Sequence, residues 1–330
     1  MKKILIIRFS SIGDIVLTTP VIRCIKTQHP NFELHFVTKK QFVSVLENNP
    51  YITKIHSFDG RFSALLKDLQ DENFDFVIDL HHSLRSRRLL LMLRKPSSSF
   101  QKLNFKKWLL IKSKVNILPN IHVVDRYFKA AYKLNIENDR NGADFFISPD
   151  TTLPGKIHSF LLRPHVVAIA VGSKHETKQL PVDKIRELLK LTTFSAILLG
   201  GKEDIKKANE IIPEFEDRVM TACGQLSLQE SALALSKCKA IVTGDTGLMH
   251  IATALQVKVF SIWGNTVPSF GMYPYAPKQK HLYDIFEVKG LKCRPCSKLG
   301  FKRCPKGHFK CMLNQDMMLI AQEITKHLLG

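Results

Sequence analysis

Residues 244–250 combine the residue types expected of a turn that binds phosphate and sugar. They follow an apolar, strand-like segment at residues 239–243 and precede a helix-like pattern. Glycines in such a turn let backbone N–H groups approach an anion, and the N-terminus of the following helix favours negative charge. Asp245, Thr246 and His250 add groups for sugar hydroxyls and phosphate. We predict a nucleotide or nucleotide-sugar site here; the alternative is that Asp245 or Thr246 only caps the helix.

Asp14 stands in a second strand–turn–helix pattern. Residues 3–8 are almost continuously apolar, which is typical of a parallel strand buried on both faces. Residues 9–14 then form a turn, and helical spacing resumes over 15–27. A carboxylate at the carboxyl edge of a parallel sheet lies where such folds bind ligands, so Asp14 could act as a general base. The alternative is a helix cap. No G-x-G-x-x-G follows this strand, which argues against a dinucleotide cofactor.

The two patterns together resemble a known family of enzymes. Residues 8–14 with 18–20 resemble the amino-terminal signature of the family 9 glycosyltransferases, the heptosyltransferases, and residues 245–252 resemble its donor-site signature. The resemblance implies an α/β protein of GT-B architecture, with two Rossmann-like domains facing a central cleft. Residues 1–155 would bind the acceptor and residues 156–330 the nucleotide-sugar.

The resemblance also implies a reaction and roles for particular residues. The expected activity is an inverting, metal-independent transfer of a sugar, heptose from ADP-heptose, to a lipopolysaccharide core or related glycolipid. Asp14 matches the catalytic base, and Ser11 and Gly13 lie beside it on the acceptor side. The positions that match donor-binding residues are Ser173, Lys178, Thr221, Asp245, Thr246, Gly247 and His250.

The chain departs from the family pattern at two places. Gln179 and Leu180 stand where an aromatic residue often follows the lysine, and Thr221 stands where some members carry an acid. Recognition of the nucleoside base and ribose of the donor could therefore differ from that in the family. Without the resemblance, Lys178 would be interpreted as a solvated lysine at the start of a helix.

Charge is large and unevenly distributed. The 330-residue chain has a formal net charge of +20, with ten Lys or Arg and no acid over residues 81–115, and eight and none over 288–315. Basic segments predict anionic partners, here a glycolipid acceptor and the inner-membrane surface. Residues 102–110 have the composition of an interfacial helix, although a solvated basic face is an equal alternative. Arg85 and Arg88 are candidates for acceptor phosphate or carboxylate groups.

Four of the seven cysteines lie within residues 293–311. One pair with two residues between its cysteines, followed by two more thiols, could wrap one structural zinc ion tetrahedrally, and nearby Lys and Arg would lower the thiol pKa values; the alternative is four reduced thiols. The candidate ligands are Cys293, Cys296, Cys304 and Cys311. No cofactor is expected for catalysis.

Two other functions stay open at this stage. A nucleotide-sugar epimerase or hydrolase on the same fold would consume the donor without an acceptor. A basic nucleic-acid-binding protein would use the positive segments but would leave both strand–turn–helix motifs unexplained, so no nucleic acid partner is expected. The sequence has neither a signal peptide nor an apolar run long enough to span a membrane. We expect a cytoplasmic protein, peripheral on the inner membrane, with a linker at 148–164.

Overall fold

The computed structural model describes residues 2–330 and divides into two compact units. The first comprises the chain up to Leu103, Ile121–Phe146 and Tyr275–Lys278. The second comprises Asn104–Asn120, Ile147–Pro274 and Gln279–Gly330. Each is built around one parallel β-sheet, so the predicted α/β class is confirmed.

The first sheet has five parallel strands in the order β3-β2-β1-β4-β5. The central strands are nearly continuous apolar segments, which suits burial on both faces. Its strands are β1 (Lys3–Ile7), β2 (Glu33–Lys39), β3 (Lys54–Phe58), β4 (Phe76–Asp79) and β5 (Ser97–Ser99). Its helices are α1 (Ile12–Val16), α2 (Thr19–Gln28), α3 (Phe62–Asp71), α4 (Leu84–Leu93) and, after α5 (Asn104–Ser113) of the second unit, α6 (Val123–Ala131).

The second sheet has six parallel strands in the order β11-β10-β9-β6-β7-β8. Its strands are β6 (Val167–Ala170), β7 (Ala196–Leu199), β8 (Val219–Thr221), β9 (Ala240–Thr243), β10 (Lys258–Trp263) and β11 (Tyr283–Glu287). Its other helices are α7 (Gly155–Leu161), α8 (Val182–Lys190), α9 (Ile205–Ile211), α10 (Leu228–Ser236), α11 (Gly247–Ala254), α12 (Lys310–Leu313) and α13 (Met317–Leu329). Within residues 2–330, no helix combines the length and the apolar character needed to cross a bilayer.

The structure refines one local prediction and contradicts another. The helical pattern at 15–27 divides into α1 and α2, and Pro20 lies in the first turn of α2, where its missing N–H group costs no intrahelical bond. The expected linker at 148–164 contains α7, which buries Ile157 and Phe160. Prolines interrupt the sequence at both ends of this short helix, and that pattern was mistaken for a connection.

Arg23 fastens the segment around residues 139–144 to α2. Its guanidinium donates to Asp139 at 2.8 and 2.9 Å, to the Gly142 carbonyl at 2.9 Å, and also to Asp144. Burial acts to raise the pKa of Asp139, but hydrogen bonds from Arg23 outweigh it and hold that pKa at about 2. For Asp144 burial prevails and its pKa is raised.

Replacing Arg23 with Met should lower the free energy of unfolding by about 3 kcal/mol. This is the lower end of the range for removing one partner of a buried ion pair, because the Asp139 and Asp144 carboxylates both keep some solvent contact. The depressed Asp139 pKa contributes stability above its unfolded pKa of about 4, and this is lost as the pH falls towards about 2. In urea denaturation, the difference in free energy of unfolding between the unaltered protein and Arg23→Met should therefore become smaller as the pH is lowered from about 4 to about 2. Arg61→Met, at an exposed Arg–Asp pair, is the control and should change little; an equal loss in both variants would contradict the role of burial.

Candidate functional site

Each sheet has one point at which its strand order reverses. The reversal lies between β1 and β4 in the first unit and between β6 and β9 in the second. The connections leave these points in opposite directions, so a crevice opens outside the carboxyl ends of the two strands, which is where open α/β sheets bind ligands. Both predicted motifs directly follow strands that flank a reversal.

Asp14 lies at the reversal of the first sheet, in the first turn of α1. It is not the N-cap; Ser11 is, and Asp14 is the third helical residue of a capping box. Its Oδ2 accepts from the Ser11 amide at 3.2 Å and the Ser11 hydroxyl at 2.7 Å. Its Oδ1 lies 2.5 Å from Nη2 of Arg8. These contacts orient the carboxylate at the carboxyl end of β1. Gly13 is buried in the same turn.

Arg8 is buried and anchors this turn to the sheet. Its guanidinium donates to the backbone carbonyls of Ser10, at 2.8 Å, and of Leu80. It also lies over the Tyr127 ring, 5.8 Å from the centroid. Burial acts to lower the pKa of Arg8, but the charge of Asp14 outweighs it and the pKa is raised. A fixed positive charge therefore holds the Asp14 carboxylate at the carboxyl end of β1.

His81 and Asp79 are polar groups at this site that the sequence motifs did not reveal. Asp79 is fully buried and its Oδ1 accepts from the amides of His81 and His82 at 2.9 and 2.7 Å. Burial, reinforced by the charge of Arg8, lowers the pKa of His81 to about 3, so its imidazole is neutral at physiological pH. Asp79 Oδ2 and His81 Nδ1 are buried and find no hydrogen-bond partner within residues 2–330. Their position at the carboxyl end of β4 was the available signal.

The arginines of α4 pack on aromatic rings. The Arg85 guanidinium lies 4.9 Å from the Phe58 ring centroid and 5.6 Å from that of Phe9, which follows β1. The Arg88 guanidinium lies 4.4 Å from the Phe62 ring centroid. Both residues are exposed. Arg85 therefore stands beside the reversal of the first sheet, whereas Arg88 packs against the start of α3.

Lys178 and Asp245 meet at the reversal of the second sheet. Lys178 Nζ lies 2.6 Å from Asp245 Oδ2, and the Thr266 hydroxyl donates to the same oxygen at 3.1 Å. Only 15% and 13% of the two side chains are exposed. The interpretation of Lys178 as a solvated surface lysine was therefore wrong. The pair brings an ammonium and a carboxylate to one point between β6 and β9, where a phosphate and a sugar hydroxyl could each find a partner.

The turn after β9 permits no side chain at Gly244. A Cβ atom there would lie 2.2 Å from the backbone carbonyl oxygen of Lys178, which is far inside van der Waals contact. Thr246 is the N-cap of α11, accepting from the Met249 amide at 3.4 Å, and its hydroxyl is 2.9 Å from that of Thr243. Gly247 begins α11 and His250 is buried within it. Thr246 therefore caps the helix, while Asp245 is directed to Lys178.

The other two predicted donor residues lie at different points along the carboxyl edge of the sheet. Ser173 follows β6, and its carbonyl accepts from the Gln179 amide group at 2.7 Å. Thr221 ends β8, the outermost strand, and its hydroxyl accepts from the Cys223 amide at 3.1 Å. The structure therefore places Thr221 along the carboxyl edge of the sheet but not at the reversal.

Asp204 lies beneath the glycine turns after β6 and β7 and was also not predicted. A Cβ at Gly172 or Gly200 would lie 1.8 or 2.8 Å from its Oδ2, and that oxygen accepts from the Gly201 amide at 2.8 Å. Burial raises the pKa of Asp204. The two glycine turns are therefore shaped around this carboxyl group, which no motif signalled.

The segment 288–311, which carries the four clustered cysteines, braces both halves of the Lys178–Asp245 pair. Arg294 donates to the carbonyls of Gly264 and Thr266 at 2.5 and 2.9 Å. Phe301 exchanges hydrogen bonds with Thr177, the neighbour of Lys178: its amide donates to the Thr177 hydroxyl at 2.8 Å, and its carbonyl accepts from the Thr177 amide at 3.2 Å. This segment therefore helps to position the loop of Lys178 and the loop of Thr266, whose hydroxyl donates to Asp245.

All seven cysteines carry free thiols. Cys293 Sγ lies 3.7 Å from Nε2 of His308. The expectation that basic neighbours lower the thiol pKa values was wrong for Cys296 and Cys311, because burial raises the pKa of each to about 11. Cys304 lies between them in sequence and is partly exposed. All four residues are described, and no three of their Sγ atoms lie within 4.8 Å of one another, so the structure does not gather them as zinc ligands and structural zinc at this cluster stays a prediction.

Another group of potential metal ligands lies in the first unit. Among residues 2–330, only His35, His56 and Glu72 bring three or more His, Cys, Asp or Glu ligand atoms within 4.8 Å of one another. They lie towards the amino ends of the strands, and so at the opposite edge of the sheet from Asp14.

Comparison with known proteins places the chain in a family. The profile of glycosyltransferase family 9 (heptosyltransferase) matches residues 62–299. Lipopolysaccharide heptosyltransferase 1 of Campylobacter coli is 27% identical over 293 residues, covering 81% of this chain and 85% of the relative. The glycosyltransferase family 9 structure from Veillonella parvula aligns with a TM-score of 0.78 at 20% identity, over 99% of this chain and 97% of that one.

The structure of ADP-heptose lipopolysaccharide heptosyltransferase II from E. coli aligns with a TM-score of 0.71 at 20% identity, over 100% of this chain and 99% of that one. The predicted GT-B fold is thereby confirmed. The chain belongs to glycosyltransferase family 9 and is a glycosyltransferase. The roles of the individual site residues stay predictions.

Replacing Gly244 with Ala should lower the free energy of unfolding by about 1–3 kcal/mol, because the new methyl group would force the β9 turn away from the Lys178 carbonyl. Gly155→Ala is the matched control: a Cβ there meets nothing within 4 Å, and Ala has the better helix propensity, so stability should hold or rise. Urea denaturation of both variants measures the difference. Equal stability of the two would refute the close approach at Gly244.

Proposed function

We propose that this glycosyltransferase transfers heptose from ADP-heptose to a lipopolysaccharide core or related glycolipid. The observation that carries the proposal is the Lys178–Asp245 pair at the strand-order reversal of the second sheet, in a chain of the heptosyltransferase family. The names of the relatives support the substrates: one is a lipopolysaccharide heptosyltransferase, and another is an ADP-heptose lipopolysaccharide heptosyltransferase.

In this proposal residues 156–330 hold the donor. The diphosphate would lie at the N-terminus of α11, where the Thr246 and Gly247 backbone and the helix dipole favour negative charge. Lys178 would move part of its interaction from Asp245 to the phosphate, and so neutralise charge on the leaving group without a metal. Asp245 would then accept from hydroxyls of the sugar. Ser173, His250 and Thr221 complete the proposed donor contacts.

Residues 1–155 would bind the acceptor, with Asp14 as the general base. The Asp14 carboxylate would take the proton of the acceptor hydroxyl as that oxygen attacks the anomeric carbon. The bond from this carbon to the diphosphate oxygen breaks, and ADP leaves with the electron pair. Displacement from the face opposite the leaving group inverts the anomeric centre. Arg8 and Ser11 would keep the carboxylate aimed at the hydroxyl, while Gly13, Arg85 and Arg88 would contribute to acceptor binding.

Asp14→Asn tests both the reaction and the base. With ADP-heptose and a heptose-deficient lipopolysaccharide core, the unaltered protein should release ADP and form glycosylated product of inverted configuration, detected by mass spectrometry and NMR. The amide cannot take up the proton, so kcat should fall about 10²–10⁴-fold while donor affinity is retained. Asp59→Asn, an exposed carboxylate of the same unit, should keep full activity.

Two results would count against these assignments. Near-normal transfer by a folded Asp14→Asn protein would exclude Asp14 as the base. Equal ADP release with and without acceptor would instead identify a donor hydrolase, which is the alternative enzyme on this fold.

We also propose that the second unit carries a structural zinc ion on Cys293, Cys296, Cys304 and Cys311. The support is their spacing, their free thiols and the position of their segment against the Lys178 and Asp245 loops. Four thiolates would leave no open coordination position, so the ion would hold the segment in place and take no part in transfer.

The proposed location is the cytoplasmic face of the inner membrane, with α5 at the lipid surface. Phe105 and Trp108 on α5 stack with ring centroids 6.0 Å apart, and 69% and 51% of these residues are exposed. Lys112 and Lys114 are exposed at the end of the helix and just beyond it. Exposed aromatic rings beside ammonium groups match a membrane interface that contains anionic lipid.

Replacing both Phe105 and Trp108 with Ser should weaken binding to vesicles of anionic phosphatidylglycerol about tenfold or more. The variant loses the free energy gained when the two aromatic rings are transferred from water into the lipid interface. A flotation assay measures the bound fraction, with phosphatidylcholine vesicles to isolate the charge contribution. Leu162→Ser removes a side chain that is 75% exposed on the same unit and should leave binding unchanged. Equal binding of the aromatic double variant and the unaltered protein would reject α5 as the contact.

A further inference from the structure

We infer that His35, His56 and Glu72 form a binding site for a divalent transition metal such as zinc, separate from the transfer reaction. The two imidazoles come from neighbouring strands β2 and β3, and Glu72 follows the last residue of α3. The site would join these three elements at the amino edge of the first sheet.

The spacing of the ligand atoms fits one ion. His35 Nδ1 lies 3.0 Å from His56 Nε2 and 3.9 Å from Glu72 Oε2. A tetrahedral zinc ion with bonds of about 2.1 Å requires ligand atoms about 3.4 Å apart. The His35–His56 separation must therefore widen slightly and the His35–Glu72 separation must shorten. Small side-chain rotations would produce both changes. A water molecule would take the fourth position.

The outer contacts of the two imidazoles differ. His56 Nδ1 donates to the Asp68 carboxylate, which leaves Nε2 as the nitrogen that faces Glu72 and His35. A carboxylate hydrogen-bonded behind the ring in this way fixes the tautomer of His56 and strengthens it as a ligand. His35 Nε2 lies 3.9 Å from Glu33 Oε2, beyond hydrogen-bond distance, so when Nδ1 binds the metal the ring proton would move to Nε2, on the side of that carboxylate.

Burial also suits a metal. His35 and His56 are 3% and 1% exposed, and the Phe74 ring stands edge-on to both. Only 15% of the Glu72 side chain is exposed, so all three ligand groups are largely withdrawn from water.

Two ammonium groups are the competitors of the metal. Lys54 and Lys3 donate to Glu72 at 2.6 and 3.0 Å. About half of the Lys54 side chain and a third of the Lys3 side chain are exposed, so either can turn into solvent when a cation binds. Three carboxylates, of Glu33, Asp68 and Glu72, remain to balance the added charge.

Cobalt substitution distinguishes this site from the cysteines. Metal-free protein is titrated with Co²⁺: nitrogen and oxygen ligands give only visible d–d bands, whereas thiolates add an intense near-ultraviolet charge-transfer band. We expect visible bands from a site that saturates at one Co²⁺ per chain without thiolate absorption, whether or not the cysteines bind a second ion. Zinc should displace the cobalt and raise the melting temperature.

Four variants decide the assignment. Glu72→Gln should abolish these bands, and Asp68→Asn should weaken binding about 10–100-fold through His56. Lys54→Met should tighten binding about fivefold or more, since it removes a competing positive charge. Asp71→Asn, an exposed carboxylate of the same helix, should leave the affinity unchanged. Circular dichroism verifies that each variant is folded.

The inference would be overturned if only thiolate-bound cobalt appeared. It would also be overturned if the visible bands were unaffected by both Glu72→Gln and Asp68→Asn. Because Lys54→Met is expected to strengthen binding, an unchanged affinity in that folded variant counts against the site even if Glu72→Gln proves unstable.

Discussion

The reversal of strand order in each parallel sheet is the constraint on which the rest of the site depends. At β1 and β4, and again at β6 and β9, the connections diverge and leave the carboxyl ends of two adjacent strands open. A side chain in the first turn after such a strand is held by the sheet yet faces a crevice. Asp14 occupies that position in the first unit, and Asp245 occupies it in the second. The same geometry on two separate sheets therefore places one carboxylate at each reversal, and these are the positions on which the proposed function depends.

Close backbone packing makes the second site rigid. The turn after β9 approaches the Lys178 carbonyl so closely that only glycine fits at position 244, and the segment 288–311 holds the loops on either side through Arg294 and Phe301. These contacts hold the backbone of the loops that carry Lys178 and Thr266. Charged groups on a backbone held in this way need little rearrangement to meet an anion, which is the physical advantage of building the site on backbone contacts.

The two edges of the first sheet have different electrostatic characters. At the carboxyl edge, a buried guanidinium and a neutral imidazole surround one carboxylate, an arrangement suited to proton transfer from a hydroxyl. At the amino edge, two buried imidazoles face a carboxylate held by two lysines. A cation bound there would stabilise the sheet that carries Asp14 without touching the reacting groups.

Much of this arrangement was predictable from local sequence. The apolar runs before residues 9 and 244 signalled buried parallel strands, and the residue types after them signalled ligand-binding turns, because period and turn chemistry are local properties. The sequence also favoured the family now shown. It determined neither the Lys178–Asp245 pair, whose members are 67 residues apart, nor the carboxyl group of Asp204 beneath two glycine turns. His35 and His56 carried no motif, since their 21-residue separation becomes a 3.0 Å contact only when β2 pairs with β3. The sequence by itself determined the elements and their ligand-facing turns; the tertiary structure alone decided which charges meet, because strand order and register bring distant residues together.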